Sequence, residues 1–255
     1  MKFEQLPADT AAWVTGGASG LGAATAAALQ QAGMNVSVFD LEAALSAGLP
    51  EGLHGVACDV SSAEAIATAV AAANDAHGAP RVLVNCAGIA PAARTVSRKG
   101  AHDPGLFAKV IAINLVGSFQ MSAAAAELMC AADPLDDNER GVIINTASVA
   151  AYDGQIGQAA YASSKAGIAG LTLPMARDLS SLGVRVCAIA PGIFATPLLT
   201  GLPEDVQQSL AAQVPFPSRL GNPDEFAQLA LHIVENSMLN GEVIRLDGAI
   251  RMGMR

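Results

Sequence analysis

Short apolar runs alternate with longer alanine-rich stretches along almost the whole chain. The runs are apolar at nearly every position, a pattern typical of strands buried on both faces. Strands are therefore predicted at Ala11–Val14, Val36–Phe39, Leu53–Ala57, Val82–Asn85, Val142–Asn145, Val184–Ala190 and Glu242–Leu246. Helices are predicted at Leu21–Gln31, Ala63–His77, around Leu106–Ala131, Gln158–Leu182 and Asp224–Glu235. This alternation predicts an α/β fold with a single doubly wound parallel sheet and helices on both faces.

Three segments interrupt the alternation, but no linker divides the chain, so residues 1–255 are interpreted as one domain. Ala92–Asp103 is a long basic loop, and Thr196–Pro217 is proline-rich and resembles a lid near residues 196–217. Both follow the carboxyl ends of predicted strands, where open α/β sheets bind ligands. Asp133–Arg140 lies at the opposite end and is interpreted as a solvated acidic loop.

Composition excludes several classes of protein. Hydrophobic residues make up 52% of the 255 residues and charged residues 15%, so a disordered chain is excluded. A net charge of −9 argues against a nucleic-acid partner. No uninterrupted apolar run approaches the roughly 18–20 residues of a membrane span. Residues 1–10 resemble neither a signal peptide nor a transit peptide, and a cytoplasmic location is therefore expected. The four cysteines and four histidines show no metal-ligand spacing, and neither a metal site nor a disulfide framework is expected.

A glycine-rich turn follows the first predicted strand, with glycines at positions 16, 20 and 22. Glycine lets the backbone turn tightly and approach a pyrophosphate closely, and the amides of the following helix meet the phosphate charge. Such a turn is also found as a simple tight connection, so it needs supporting residues.

Acidic and amide residues end the next three predicted strands. Asp40 lies 18 residues beyond Gly22, where a carboxylate accepts hydrogen bonds from the ribose hydroxyls of NAD and repels the extra phosphate of NADP. Asp59 is placed beside an adenine ring, or alternatively at a helix N-cap. Asn85–Gly88 ends the fourth strand. Together these residues predict a site for NAD.

Tyr161 and Lys165 form the second chemical signal. They are four residues apart, which places them on one face of a helix, where an ammonium is expected to lower the pKa of a phenol. Ser148 ends the preceding strand, 13 residues before Tyr161, and could reach the same cleft. The alternatives are a core tyrosine, a solvated lysine and a turn serine.

These motifs together resemble the short-chain dehydrogenase/reductase family from about residue 10 onward, which implies a Rossmann fold. The closer resemblance is to the type-2 3-hydroxyacyl-CoA dehydrogenases, also known as type-10 17β-hydroxysteroid dehydrogenases. It rests on the stretches Gly141–Ala151, Gly154–Tyr161, Gln213–Gly221 and Asn240–Met252. One departure from the wider family is Cys86, where a second asparagine is usual.

The resemblance implies a role for each matching residue. Tyr161 would act as general base, Ser148 would hold the reacting oxygen, Lys165 would stabilise the phenolate, and Asn114 would hold a water linked to Lys165, unless it serves a helix–helix hydrogen bond. The implied NAD contacts are Gly16, Ser19, Gly20, Leu21, Gly22, Asp40, Asp59, Val60, Asn85, Cys86, Ala87, Gly88, Tyr161, Lys165, Pro191, Gly192, Phe194 and Thr196. Phe194 and Thr196 in particular would cover the nicotinamide and bind its amide.

The implied reaction interconverts 3-hydroxyacyl-CoA and 3-oxoacyl-CoA, as in fatty-acid or branched-chain β-oxidation. The substrate contacts expected are Ser148, Gln155, Gln158 and Tyr161, with Arg98 and Lys99 on the CoA phosphates unless that basic loop is only solvated. Alternatives are a 3-oxoacyl-carrier-protein reductase, a steroid or secondary-alcohol dehydrogenase, and, remotely, a non-catalytic dinucleotide-binding scaffold. The resemblance also implies a homotetramer, which alanine-rich helix faces would allow.

Overall fold

The structure is a computed structural model that describes residues 1–7, 9–201 and 203–254, apart from the side chains of Gln5 and Leu198. The strands run in chain order as β1 Ala11–Thr15, β2 Asn35–Asp40, β3 His54–Ala57, β4 Pro80–Asn85, β5 Val96–Ser97, β6 Gly100–Ala101, β7 Gly141–Thr146, β8 Val184–Pro191 and β9 Val243–Leu246. The helices are α1 Gly20–Gln31, α2 Glu42–Leu45, α3 Ala63–His77, α4 Pro104–Ile111, α5 Ser118–Ala131, α6 Ala159–Leu179, α7 Pro197–Thr200, α8 Glu204–Ala211 and α9 Pro223–Glu235.

Seven strands form one parallel sheet in the order β3-β2-β1-β4-β7-β8-β9, which confirms the predicted fold class. All seven predicted strands and five predicted helices are present, with ends that differ by no more than a few residues. The order reverses between β1 and β4, and open α/β sheets bind ligands at such a point. The remaining two strands, β5 and β6, pair as a small antiparallel hairpin inside the basic loop.

The core lies on both faces of the sheet because side chains alternate along each strand. On one face Val14 packs with Leu29 of α1 and Phe226 of α9. On the other face Trp13 packs with Met121 and Met129 of α5. All six of these side chains are fully buried, which accounts for strands that are apolar throughout.

The helix formed by α4, a π-helical turn at Ala112–Gly117 and α5 is long and apolar enough, by length and composition, to cross a membrane. No uninterrupted apolar run marks this helix in the sequence, because polar residues such as Asn114 and Gln120 interrupt it. The helix packs on the sheet, with Met121 and Met129 in the core, so its composition agrees equally with a core helix.

The predicted acidic loop at residues 133–140 is only partly solvated. Glu139 in this loop is 6% exposed and forms an ion pair with Arg185 of β8 at 2.8 Å. The solvated interpretation is therefore wrong for Glu139. Its carboxylate also accepts a hydrogen bond from Ser237, after α9, at 2.9 Å.

Candidate active site

The glycine turn between β1 and α1 has the geometry of a backbone cradle. Gly16 has φ +64°, and a Cβ there would lie 2.7 Å from the Ala87 amide nitrogen. A Cβ on Gly22 would overlap the Gly16 carbonyl oxygen. Ser19 precedes α1 as an exposed N-cap whose side chain makes no capping bond. The turn therefore brings bare backbone to a helix N-terminus, the arrangement that accommodates phosphate groups.

Asp40, at the end of β2, reaches back to this turn. Its carboxylate accepts hydrogen bonds from the Ala18 amide at 3.0 Å and from the Leu41 amide at 2.8 Å. These bonds hold a negative charge beside the turn, about where the ribose of a dinucleotide lies in this type of sheet.

Asp59 is exposed at the end of the third strand, while Val60 is buried. Hydrogen bonds from the Ser61 hydroxyl and amide, at 2.7 and 2.9 Å, lower the pKa of the Asp59 carboxyl. The N-cap of α3 is Ser62, whose hydroxyl accepts from the Ala65 amide. The alternative that Asp59 caps this helix is therefore wrong.

Asn85 is buried with its side chain turned into the protein. The amide donates to Asn145 Oδ1 at 2.9 Å and to Ser122 Oγ at 3.0 Å, and its oxygen accepts from Thr15 Oγ1 at 3.3 Å. The Thr15 hydroxyl also accepts from the Cys86 and Ala87 amides. Only the backbone of Asn85 is left to face a ligand, and Thr15, to which the sequence motif gave no individual role, holds the Asn85–Gly88 segment in place.

Asn114 is fully buried in the π-helical turn. Its side chain donates to Ile89 O at 2.8 Å and to Ser164 Oγ of α6 at 3.0 Å, and it accepts from the Ile89 amide. A bond between helices, the structural alternative, is thus confirmed for this side chain. A π-helical turn inside an α-helix is frequent at functional sites.

Ser148 and Tyr161 meet at the carboxyl edge of the sheet. Ser148 follows β7 and is 7% exposed, and its hydroxyl accepts from the Ala150 amide at 3.1 Å. Tyr161 lies in the first turn of α6, where burial raises the pKa of its phenol and a hydrogen bond with Ser148 partly offsets that rise. The phenol is therefore protonated at neutral pH and holds its proton beside the Ser148 hydroxyl.

Lys165 is 5% exposed, one turn further along α6. Its ammonium donates to the Thr146 carbonyl oxygen at 2.6 Å and lies 5.8 Å from the centroid of the Tyr161 ring. Burial lowers the pKa of Lys165 to about 8. The pKa of Tyr161 lies above its ordinary value because burial of the phenol outweighs the hydrogen bond with Ser148, so the expected lowering of that pKa by Lys165 is not seen in this structure.

Cys86 and Gly88 complete the floor beside Lys165. The Cys86 thiol accepts a hydrogen bond from Thr146 Oγ1 at 3.5 Å, and burial raises its pKa to about 11, so it is an unreactive thiol. A Cβ on Gly88 would lie 3.2 Å from Asn114 Oδ1 and 3.7 Å from Lys165 Nζ. Glycine thus permits these two polar groups to approach the backbone.

The segment after β8 closes the other side of the crevice. The Gly192 amide donates to the Leu246 carbonyl at 2.9 Å, and a Cβ on Gly192 would meet Asp247. Phe194 is 6% exposed and packs in the core, and the expectation that its ring covers a nicotinamide stays a prediction. Thr196 lies beside Gly20, since a Cβ built on Gly20 would be 3.4 Å from the methyl group of Thr196.

The lid predicted near residues 196–217 contains the two short helices α7 and α8. Leu202, between these helices, lies outside the described residues.

Gln155 and Gln158, in the loop before α6, form hydrogen bonds within the protein. The Gln155 amide donates to Gln158 Oε1 at 3.0 Å, and its side chain donates to the Gly253 carbonyl at 3.3 Å. Their expected contact with a substrate stays a prediction.

Arg98 and Lys99 are exposed between β5 and β6. The base of this hairpin is tied to the loop before α6, because the Ala93 amide donates to the Gly157 carbonyl at 2.9 Å. The hairpin therefore begins beside the segment that joins Ser148 to Tyr161.

The described residues contain no group of three acidic, histidine or cysteine side chains that could hold a metal, and the four cysteines are free thiols.

Comparison with known proteins agrees with this geometry. A family model for the short chain dehydrogenases matches residues 10–207. The chain is 51% identical to 3-hydroxyacyl-CoA dehydrogenase type-2 of Homo sapiens. The alignment spans 245 residues and covers 94% of each chain. It is 51% identical to the Drosophila melanogaster protein of that name, over 94% of this chain and 96% of the other.

A solved structure shares the fold over almost the whole length. The crystal structure of 3-hydroxyacyl-CoA dehydrogenase type-2 from Mycobacterium avium is 43% identical, with a TM-score of 0.91 over 99% of this chain and 98% of the other. The chain therefore belongs to the short-chain dehydrogenase family, oxidoreductases that use a nicotinamide dinucleotide.

Proposed function

We propose that this enzyme interconverts 3-hydroxyacyl-CoA and 3-oxoacyl-CoA with NAD as the cofactor. The observation that supports it is the Tyr161 hydroxyl, held by Ser148 at the sheet edge that also contains the glycine turn. The relatives that are about half identical over 94% of the chain supply the class of substrate.

The residues present fit a dinucleotide. The bare backbone at Gly16 and Gly22 leaves room for the pyrophosphate, and Asp40 would accept from the ribose hydroxyls. Asp59 and Val60 would border the adenine, and Lys165 and Thr196 the nicotinamide end. When bound, the nicotinamide accepts or supplies the hydride.

The proton chemistry belongs to the chain's own residues. In the reducing direction the protonated Tyr161 hydroxyl donates its proton to the substrate oxygen, while Ser148 donates a hydrogen bond to the same oxygen. In the oxidising direction Tyr161 takes the hydroxyl proton back as a phenolate. Lys165 is placed to stabilise that phenolate, and the buried Asn114 turn supports the helix from which both side chains extend.

The direct test is to mix the purified protein with acetoacetyl-CoA and follow the absorbance of NADH, then of NADPH. Turnover with NADH supports both the substrate class and the cofactor. A preference for NADPH would favour a carrier-protein reductase. Binding of NADH without turnover would contradict the acyl-CoA proposal and direct the search to steroids and secondary alcohols.

Asp40→Asn should weaken the preference for NADH. The single asparagine oxygen still accepts from the Ala18 amide, but the exposed bond from the Leu41 amide and the charge that repels a ribose phosphate are lost. We expect the ratio of kcat/KM for NADH to that for NADPH to fall about tenfold, a change of roughly 1.4 kcal/mol. An unchanged ratio would show that Asp40 does not select the cofactor.

Replacing Arg98 and Lys99 together with Met should raise KM for acetoacetyl-CoA several-fold and leave kcat unchanged. Two exposed cations at the mouth of the site would bind phosphates in the ground state and the transition state alike, which affects KM only. Arg177→Met, at an exposed position of α6, is the matched control for loss of positive charge. An unchanged KM would show that the two hairpin cations are only solvated and do not contact the CoA phosphates.

We also propose a homotetramer, supported by large exposed apolar side chains on the long helices. Val116, Phe119 and Leu173 are 40%, 50% and 43% exposed. Light scattering should give four times the chain mass of 25.7 kDa, and Phe119→Asp should reduce the assembly, while Leu182→Asp serves as control. A monomer at micromolar concentration would overturn the proposal.

A further inference from the structure

A compact charge cluster surrounds Arg245 of β9. The guanidinium donates to Asp247 Oδ2 at 2.7 Å, to Asp153 Oδ2 at 2.9 Å and to the Ile250 carbonyl at 2.9 Å. It also lies over the ring of Tyr152, 5.3 Å from the centroid. The side chains of Arg245 and Asp153 are each 22% exposed and that of Asp247 is 9% exposed, so water screens this cluster only partly.

The two carboxylates belong to segments on different sides of the site. Asp153 begins the loop at residues 153–158, which joins Ser148 to Tyr161. Asp247 follows β9, and its Cα would lie 2.9 Å from a Cβ on Gly192. A single guanidinium thus ties the loop beside the reacting tyrosine to the strand that borders the cofactor crevice.

The loop at 153–158 has further attachments along its length. The Ile156 amide donates to the Met254 carbonyl at 3.0 Å, and Gln155 donates to the Gly253 carbonyl at 3.3 Å. The Gly157 carbonyl accepts from Ala93, at the base of the basic hairpin. The loop is therefore hydrogen-bonded to both the hairpin base and the C-terminal segment, whereas Ser148 follows β7 and Tyr161 belongs to α6.

Loss of the Arg245 side chain would leave two acidic groups close together without the cation between them. Like charges at short range repel, and a partly buried carboxylate that loses its partner moves toward solvent. The displacement would fall on the loop, since Asp247 keeps a hydrogen bond from the Ala249 amide at 2.9 Å and packs against Gly192.

We propose that Arg245 is a positioning residue, which sets the substrate-side wall at residues 153–158 through Asp153 and Asp247. The inference rests on the proposed function for its choice of substrate. It predicts weaker acyl-CoA binding, with little effect on the proton transfer at Tyr161 or on the glycine turn.

The test compares Arg245→Met with the wild-type protein. We expect KM for acetoacetyl-CoA to rise about tenfold, kcat to stay within about threefold, and the Kd for NADH, from fluorescence, to stay within about twofold. Arg245→Lys should recover only part of the loss, because an ammonium cannot bridge both carboxylates as a guanidinium fork does. Arg251→Met is the matched control, since Arg251 is 62% exposed and pairs with Asp247 without an ion pair to Asp153.

Asp153→Asn gives a second route if Arg245→Met folds poorly. It should raise KM in the same direction, and the double variant should be no worse than Arg245→Met alone, because both changes break one link. An unchanged KM in an active enzyme, or a parallel loss of kcat, NADH affinity and Tm, would overturn the inference.

Hydrogen exchange of the NADH-bound protein separates this inference from the proposed function. Amides at residues 154–158 should exchange faster in Arg245→Met than in Arg251→Met, whatever the substrate. If acetoacetyl-CoA is not turned over by wild type, the proposed function fails, and unaltered exchange in this loop would reject the positioning role independently.

Discussion

Replacing Tyr161 with Phe should reduce kcat by roughly 10²–10⁴-fold in both directions, which is the usual contribution of a positioned proton donor or acceptor. The ring packing is kept, and only the hydroxyl that bonds Ser148 is lost. Steady-state rates with acetoacetyl-CoA and NADH, and with the 3-hydroxy substrate and NAD, would measure the effect.

The chain contains a matched control, because its other tyrosine, Tyr152, is 53% exposed and lies outside the reacting pair. Tyr152→Phe should retain most of the wild-type kcat. Tyr161→Phe should still bind NADH, since the glycine turn and Asp40 are untouched. A Tyr161→Phe protein as active as wild type on every substrate would support a different proton donor or a role that is not catalytic.

The same side chain predicts the pH dependence of the reaction. Burial raises the pKa of Tyr161 above its ordinary value of 10, so the phenolate is scarce at neutral pH. Rates of oxidation should therefore rise with pH throughout the range from about 7 to 10, whereas rates of reduction need the protonated phenol and should not rise. Initial rates in both directions, measured at saturating cofactor across this pH range, would test the prediction.

Arg185→Met should destabilise the fold by about 3–5 kcal/mol, the cost of breaking a buried ion pair by removing one partner. The guanidinium is buried and donates to Glu139 at 2.8 Å and to four carbonyls at the end of α9 and after it, those of Ile233, Val234, Asn236 and Leu239. For a chain of this size, that loss lowers Tm by roughly 6–20 °C. Thermal unfolding followed by circular dichroism would measure it.

Arg177→Met removes the same charge from an exposed helix position and should shift Tm by no more than a degree or two. A similar Tm for Arg185→Met and wild type would mean that the fold relaxes to pair these groups in another way. Reversible unfolding in urea would then give the free energy directly.

Acid should diminish the difference between Arg185→Met and wild type. Burial alone would raise the pKa of Glu139, but a hydrogen bond from the Met1 ammonium and the charge of Arg185 lower it below the ordinary 4.5. A lowered pKa means that the contribution to stability is present above about pH 4.5 and is lost as pH falls through the folded-state pKa. Urea unfolding at pH 7 and at pH 4 would compare the two proteins.

Much of the fold and of the site could be predicted from the sequence, because the signals are local. The apolar runs located all seven strands of the main sheet, and the spacing of Tyr161 and Lys165 placed both on α6. Glycine at positions 16 and 22 proved to be required by close backbone contacts. A cytoplasmic location stays a prediction.

Pairings between distant segments could not be predicted in the same way. Nothing near Phe194 in sequence shows that its ring packs in the core, and the partner of Glu139 lies 46 residues away in β8. Arg245 and Asp153 are 92 residues apart, and the signal for their contact is only a charged residue in an otherwise apolar strand.

By itself, the sequence determined where strands and helices follow one another along the chain, and which residues are available for proton transfer. Both depend on periodicity and on spacing within one element. Only the tertiary structure decided which polar groups are buried together, and with that the direction of the pKa shifts at Tyr161 and Lys165. Desolvation depends on every segment packed around a group, and the chain brings those segments together only when it folds.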